Sequence, residues 1–476
     1  MSTEAAPTGS RRARSRDRRS RRFVVAMAVV IGALALVGGA SGILTTIQGP
    51  RATSMSIDPQ AAIESAGSRM IVTTTQSLVE IDPAQVQIEP AADFTVDTSG
   101  RQIGIRFTLP LRDDTEYSVR IDGLRGLGGG PAGMVEQTFT TPPLETFLLQ
   151  RGGDEDTIFR TGLDGENAVP VFTHPRIEDF RATSTHLAIV STGEDGTSTL
   201  LVTDRDGQRA RELPLPGRGT VTNLQTADRG DLIGYTFTDA DIGAGGGLES
   251  ALFTASLADA RADDEPTQLE IQGADSRTDD WRFVPGTDAV LLLTFDSALT
   301  LVSTAGGPPV ALGNAITIDG IARGSTEAIV QRASGLVAID LATAEERALT
   351  PTDPALGETQ AVTALPGTAD ETLRVLSQVE GFSVLSTSVA LVGADGSARE
   401  VFSVDSDDLL LHTCVSPSSR YAAFLVAPDA VSNPYDAYLL PLPERLQTHI
   451  VDIGTGEEVR ALSGFDISWC QSAPRP

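Results

Sequence analysis

Residues able to do chemistry are few in this 476-residue chain, and they are not spaced for it. The four histidines, His174, His186, His412 and His449, fall one to a segment, with no H-x-H or H-E-x-x-H pair. A zinc centre needs three or four convergent ligands, so each histidine reads as structural or as a lone surface group. No G-x-S-x-G occurs, which removes the strand-to-helix elbow that presents a nucleophilic serine. The glycine-rich stretches 126–133 (GLGGGPAG) and 243–247 (GAGGG) lack the Lys-Ser/Thr of a phosphate loop and read as flexible loops. Asp204 with Asp206, and Asp239 with Asp241, set carboxylates two apart without the later glutamate of a calcium loop. Turns favour Asp and Gly for their own reasons. The expectation is therefore no catalytic residue, no cofactor and no metal.

Composition narrows the partners. From residue 23 onward 28 arginines face 62 acids, a balance of −34. Such a surface repels nucleic acid and anionic lipid, and favours solubility. Aromatics make up 5% of the chain, so large cores must be built from Val, Leu, Ile and Ala. The two cysteines, Cys414 and Cys470, form an even pair far down the chain. In an oxidising compartment such a pair reads as one disulfide.

The compartment is set by the N-terminal stretch. Eight arginines stand within RRARSRDRRSRR (11–22), and residues 23–47 then run without a charge. A helix needs roughly 20 apolar residues to cross the bilayer core, and arginine-rich flanks stay in the cytoplasm. The expectation is a basic cytoplasmic tail at 1–22, a transmembrane helix at 23–47, and all that follows outside the cell. An uncleaved anchor is the first reading and a cleaved signal peptide the second, because the apolar run exceeds the 7–15 residues of a signal core.

The elements that must position any site are strands. Residues 48–68 show no sustained period and read as a linker with at most a short helical turn. From Arg69 the period is two: MIVTTTQSL, QVQIEP, FTVDTSG, QIGIRFTLP, EYSVRIDGL and EQTFTTPP are short β-rich segments cut by Gly, Pro and Asp. This density predicts a small β-sandwich over 69–142. Leu109-Pro110-Leu111, Tyr117, Val119, Ile121 and Phe139-Thr140 fall in the pattern of the bacterial Ig-like domains of S-layer and other surface proteins, which this segment resembles. The resemblance implies a spacer or cohesion module and is silent about ligand.

Over 145–475 a strand-turn-strand unit recurs every 40–50 residues. The first strands of six units start near 176, 220, 279, 317, 361 and 409. Four short strands per period is the signature of a β-propeller. Cys414–Phe424 (CVSPSSRYAAF) and DTIFRTGLDGENAVPVFTH resemble the repeats of the periplasmic Tol-Pal propeller protein and its WD40-like relatives. The unit beginning TFLLQRGG at 146 lacks a first strand, and the terminal FDISWCQS supplies one, because an open ring would leave two sheet edges unpaired. Seven blades are expected, with Cys414 and Cys470 bridging the last blade to the first. In lacking lysine, with all 36 basic residues arginine, the chain resembles the envelope proteins of actinobacteria.

One stretch breaks the repeat. Residues 428–447 hold two tyrosines, four prolines and several leucines between strands of the last blade. Long insertions on a scaffold face often carry binding, so Tyr435, Tyr438, Leu439 and Leu440 are the candidate contact residues. The competing reading is a loop packed on its own blade. The sequence thus predicts an all-β, single-pass membrane protein with a non-catalytic propeller that binds an envelope protein or wall polymer. An exported polysaccharide-active or other hydrolase using the channel, and an accessory or sensor subunit of a membrane complex, are the alternatives.

Overall fold

The structure, a computed structural model, describes residues 49–474 apart from 229–231, 244–246, 272, 274, 368–370 and 382, together with Met27 and 29–31. The apolar run 23–47 lies outside the described residues but for those four, which are helical and exposed. No helix among the described residues is long and apolar enough to cross a membrane.

Two antiparallel sheets share the first core. One has the order β1 (Ala52–Ser56), β2 (Arg69–Thr74), β5 (Gln102–Phe107), β4 (Phe94–Ser99). The other pairs β3 (Val86–Glu89), β6 (Glu116–Leu124) and β7 (Gly133–Thr140). Alternation explains the pairing: Met70 and Val72, Ile103 and Ile105, and Tyr117, Val119 and Ile121 all point inward and are buried together. The stretch read as a linker, 48–68, is corrected at its start, while the short helical turn expected within it is present. Its ATSMS segment is the edge strand β1, and Pro59–Glu64 forms a short helix, α1, capped by Asp58, whose side chain accepts from the Gln60 and Ala61 amides. β1 shows no alternation because it is an outer strand with both faces largely exposed.

The remaining strands, among the described residues, form seven antiparallel sheets in chain order, the arrangement of a β-propeller. The first sheet has three strands, β8 (Glu145–Gln150), β9 (Asp156–Gly162) and β10 (Val169–His174). The other six have four, beginning at β11 (Ile177–Ala182), β15 (Gly219–Thr226), β19 (Thr278–Phe283), β23 (Thr317–Ile321), β27 (Glu358–Ala364) and β31 (Leu409–Val415). Each of these inner strands shifts register against its neighbour, five of them near the strand's start, as between Ile177 and Asp179, Thr278 and Asp280, or Leu410 and His412, and β15 further along, between Thr222 and Gln225. A bulge bends the strand and redirects side chains, here beside the central channel.

The ring closes at the C-terminus. Leu149 and Phe465 exchange backbone N–H···O bonds, each 2.9 Å, and the Ser468 amide donates to the Phe147 carbonyl at 2.9 Å. Residues 465–468 thus supply the missing inner strand of the first blade. Phe465, Ile467 and Trp469 bury their side chains at the seam, which stabilises each by roughly 1.5–3 kcal/mol.

Because strands within a blade run up and down, the ring has two faces. Turns after first and third strands lie on one face, and the sandwich docks there. Glu64 pairs with Arg205 at 2.9 Å, and Arg420 Nη1 donates to the Asp113 carbonyl at 3.2 Å. Ile63 of α1 is buried with Leu144, Leu148 and Trp469. Leu109 sits against two blade turns at Gly324 (φ +73°) and Gly367 (φ +80°), where an added Cβ would approach its methyls to 2.6 and 2.8 Å. Only glycine adopts these φ values cheaply and also leaves room for the leucine. The module caps the ring.

Candidate functional site

Three places could serve a ligand: the channel, the 428–447 insertion and the face opposite the sandwich.

The channel is lined by first-strand residues. A cavity of about 370 Å³ is bounded by Arg282, Asp319, Gln360, Thr363, His412 and Thr413, and by Trp469 and Gln471 of the closing segment. Asp319 accepts from the Val362 amide at 3.1 Å, linking blades five and six. Burial, above all, pushes its carboxyl up to about 6. Towards the sandwich, a smaller space of about 200 Å³ is shared by Glu64 and Ser65 with Arg205, Asp228 and Arg323. Arg323 bonds Asp228 and the Trp469 carbonyl, both at 3.0 Å.

Two inner strands repeat an Asp-aromatic-Arg triplet at the same register, Asp179-Phe180-Arg181 and Asp280-Trp281-Arg282. Sequence reasoning passed over this signal, although both triplets stood in plain view. Arg181 holds Asp466 of the closing strand at 2.7 Å and Asp179 at 3.0 Å. Burial chiefly, and then the charge of Asp466, raise the Asp179 carboxyl well above the usual range against the pull of Arg181. A buried pair of carboxylates sharing one arginine could do acid-base work if it met substrate. Here the three side chains are almost wholly enclosed, and they tie the second blade to the closing strand.

In the seventh blade His412 and Cys414 occupy the register positions of those triplets' Asp and Arg. Cys414 is bonded to Cys470, with Cα atoms 5.4 Å apart. His412 lies with these two sulfurs inside 4.8 Å, but the sulfurs are spent on each other and offer no thiolate to a metal. His174 stacks on Phe172, and His449 Nδ1 is 3.2 Å from Glu458. His186 meets the Thr185 hydroxyl at 2.9 Å. The four histidines do not converge. Asp204 accepts from the Gln208 and Asp206 amides, and Asp239 from the Leu248 amide, so these turn acids cap their own backbones.

The insertion, between β32 (Tyr421–Ala427) and β33 (Gln447–Asp452), packs in part on its own blade, where Leu442 is buried with Leu425 and the Ala430 amide donates to the Asp407 carbonyl. It also reaches across the closure seam. Tyr438 donates to Asp156 of the first blade at 2.7 Å, with Arg151 and Arg176 against its ring at 3.9 and 4.6 Å. Asp436 pairs with Arg151 at 2.9 Å, and the Leu439 amide donates to Glu178 of the second blade at 3.0 Å. The Leu440 carbonyl faces Arg151 at 3.5 Å. Of the four candidate contact residues, Tyr435 and Leu439 present exposed side chains, while Tyr438 is committed to the strap.

On the open face, turns after second and fourth strands carry most of the propeller's exposed large apolar side chains. Leu356, Val379, Val384, Leu385, Leu409 and Val431 lie on this face of blades six and seven, and Phe295, Ile316 and Ile242 on the same face of other blades. Glu358, Glu380, Asp405 and Asp407 are exposed among them.

No protein-family model matches the chain, and no curated protein matches it. Solved structures do. A protein assigned as TolB from Agrobacterium tumefaciens aligns over 67% of this chain and 90% of its own, with 16% identity and a TM-score of 0.36. One assigned as a 6-phosphogluconolactonase from Bacteroides fragilis aligns over 68% and 96%, with 10% identity and a TM-score of 0.42. The acylaminoacyl peptidase of Pyrococcus horikoshii aligns over 73% of this chain and 50% of its own, with 10% identity and a TM-score of 0.42. TolB-like propellers are thus among the structural neighbours.

Proposed function

We propose that this chain is a membrane-anchored, extracytoplasmic propeller that holds a protein partner on its open face and performs no catalysis. The observation that carries this reading is the set of large apolar side chains exposed on one face of blades six and seven, with exposed acids on the same blades. Contiguous exposed apolar surface rimmed by polar groups marks an interaction site. The acids favour a partner whose docking surface is apolar and basic. A wall polysaccharide is less well served, since Phe295 and Tyr435 are the exposed aromatic rings among the described residues. The hydrolase alternative is less well served, because the carboxylate pair Asp179 and Asp466 is enclosed.

The sandwich reads as Ig-like on one further ground. Tyr117 stands at the start of its strand, and its hydroxyl accepts from the Arg112 amide, five residues upstream, at 3.0 Å, as in the tyrosine corner of that fold. Anchoring rests on the arginine flank and the apolar run. Affinity capture from solubilised envelopes tests the binding reading: Val384→Asp with Leu385→Asp should lose a stoichiometric partner that the parent retains. Equal capture by both would refute it.

A further inference from the structure

The sandwich strands run the length of the module, so it has two ends. One meets the propeller through Leu109, Asp113 and Leu144. The far end collects residues 49–51, 75–80, 99–102 and 124–133. Backbone bonds join these loops into one surface. The Thr75 amide donates to Arg51, Leu78 to Gly100, Val79 to Arg125 and Leu127 to Ser77, at 2.8–2.9 Å.

Three observations coincide there. Leu127, Met134 and Val79 are 69%, 49% and 44% exposed, and they are the exposed large apolar side chains among the described residues of the sandwich. Arg51, Arg101 and Arg125 stand exposed beside them against Glu80, in a chain whose balance beyond residue 22 is strongly acidic. Gly49 lies against Pro131 and Gly133 of the same tip, two residues after the apolar run 23–47.

We propose that this tip rests on an anionic bilayer surface. Leu127, Met134 and Val79 enter the boundary between head groups and acyl chains, and the three arginines meet lipid phosphates. The inference rests on the anchoring reading and adds a second contact to it. Apolar side chains with basic neighbours are what the interface binds. Docked so, the module stands with its strands away from the membrane and its open propeller face outermost.

The test uses the full chain in phosphatidylglycerol vesicles with or without brominated acyl chains. Both native tryptophans, Trp281 and Trp469, are buried in the propeller and report a baseline. Leu127→Trp should emit to the blue of an exposed tryptophan and lose emission in brominated lipid, whereas Val384→Trp on the open face should not. Arg101→Glu with Arg125→Glu should restore that emission. Retention in carbonate-washed membranes is measured in parallel. A retained chain whose Leu127→Trp variant is unquenched overturns the tip contact and leaves the anchor standing. Blue-shifted but unquenched emission means that protein, not lipid, covers the tip and overturns it equally. A chain washed free overturns both.

Discussion

Removing the Cys414–Cys470 bridge by Cys414→Ala with Cys470→Ala should destabilise the propeller and free its closing segment first. The sequence separation is 56, for which the chain-entropy model gives about 4 kcal/mol. A propeller of roughly 330 residues unfolds with an entropy near 0.7 kcal/mol/K, so the midpoint should fall by about 6 °C. The closing strand keeps its bonds from Leu149 to Phe465 and from Arg181 to Asp466, so the native ring should still form at low temperature. Differential scanning calorimetry reads the shift, and limited proteolysis with mass detection reads the order of cleavage. A double variant melting within about 1 °C of the parent would contradict the entropy argument. Cleavage elsewhere before the segment 463–474 would show that the seam is not the weak point.

Other perturbations follow from the same geometry. Tyr438→Phe removes the hydroxyl bonded to Asp156 and should cost about 1–2 kcal/mol in urea unfolding; an unchanged midpoint means the strap is idle. Excising 428–447 should lower stability, since it uncovers the enclosed Arg151 and Asp156. Asp319 holds a proton in the folded chain up to about pH 6 that the unfolded chain releases near 3.8. Its contribution to stability therefore falls as pH rises through that window. Asp319→Asn keeps an acceptor for Val362 and should raise stability by about 1–2 kcal/mol above pH 7, with the gain gone near pH 4; a gain independent of pH sinks the assignment. Gly324→Ala with Gly367→Ala should cost about 1 kcal/mol or more per site and loosen the sandwich, seen as faster cleavage between the modules. Unchanged cleavage would mean that Leu109 is not their clasp.

The strands of both modules were legible because alternation survives in them. MIVTTT, QVQIE and EYSVRIDGL each put every second side chain into the first core, and six inner strands begin within three residues of the expected positions. Closure by FDISWCQS followed from edge pairing alone. What stayed hidden depends on distance in the chain. Tyr438 meets Asp156 across 282 positions, so nothing near either residue betrays the strap. The edge strand β1 has too little buried surface to leave a period. The inner-strand bulges break the period of two at Asp179, Asp280 and His412, which hid the Asp-aromatic-Arg repeat. The open-face patch is assembled from turns of separate blades, and exposure cannot be read from an isolated Val or Leu.

The central claim is that the partner sits on the face turned away from the sandwich. A photoreactive side chain placed at Val384, and in a second variant at Val310 near the sandwich side of the ring, tests it directly in intact cells. One discrete cross-linked species is expected from position 384 and none from position 310. The reverse pattern, or the same product from both positions, would contradict it.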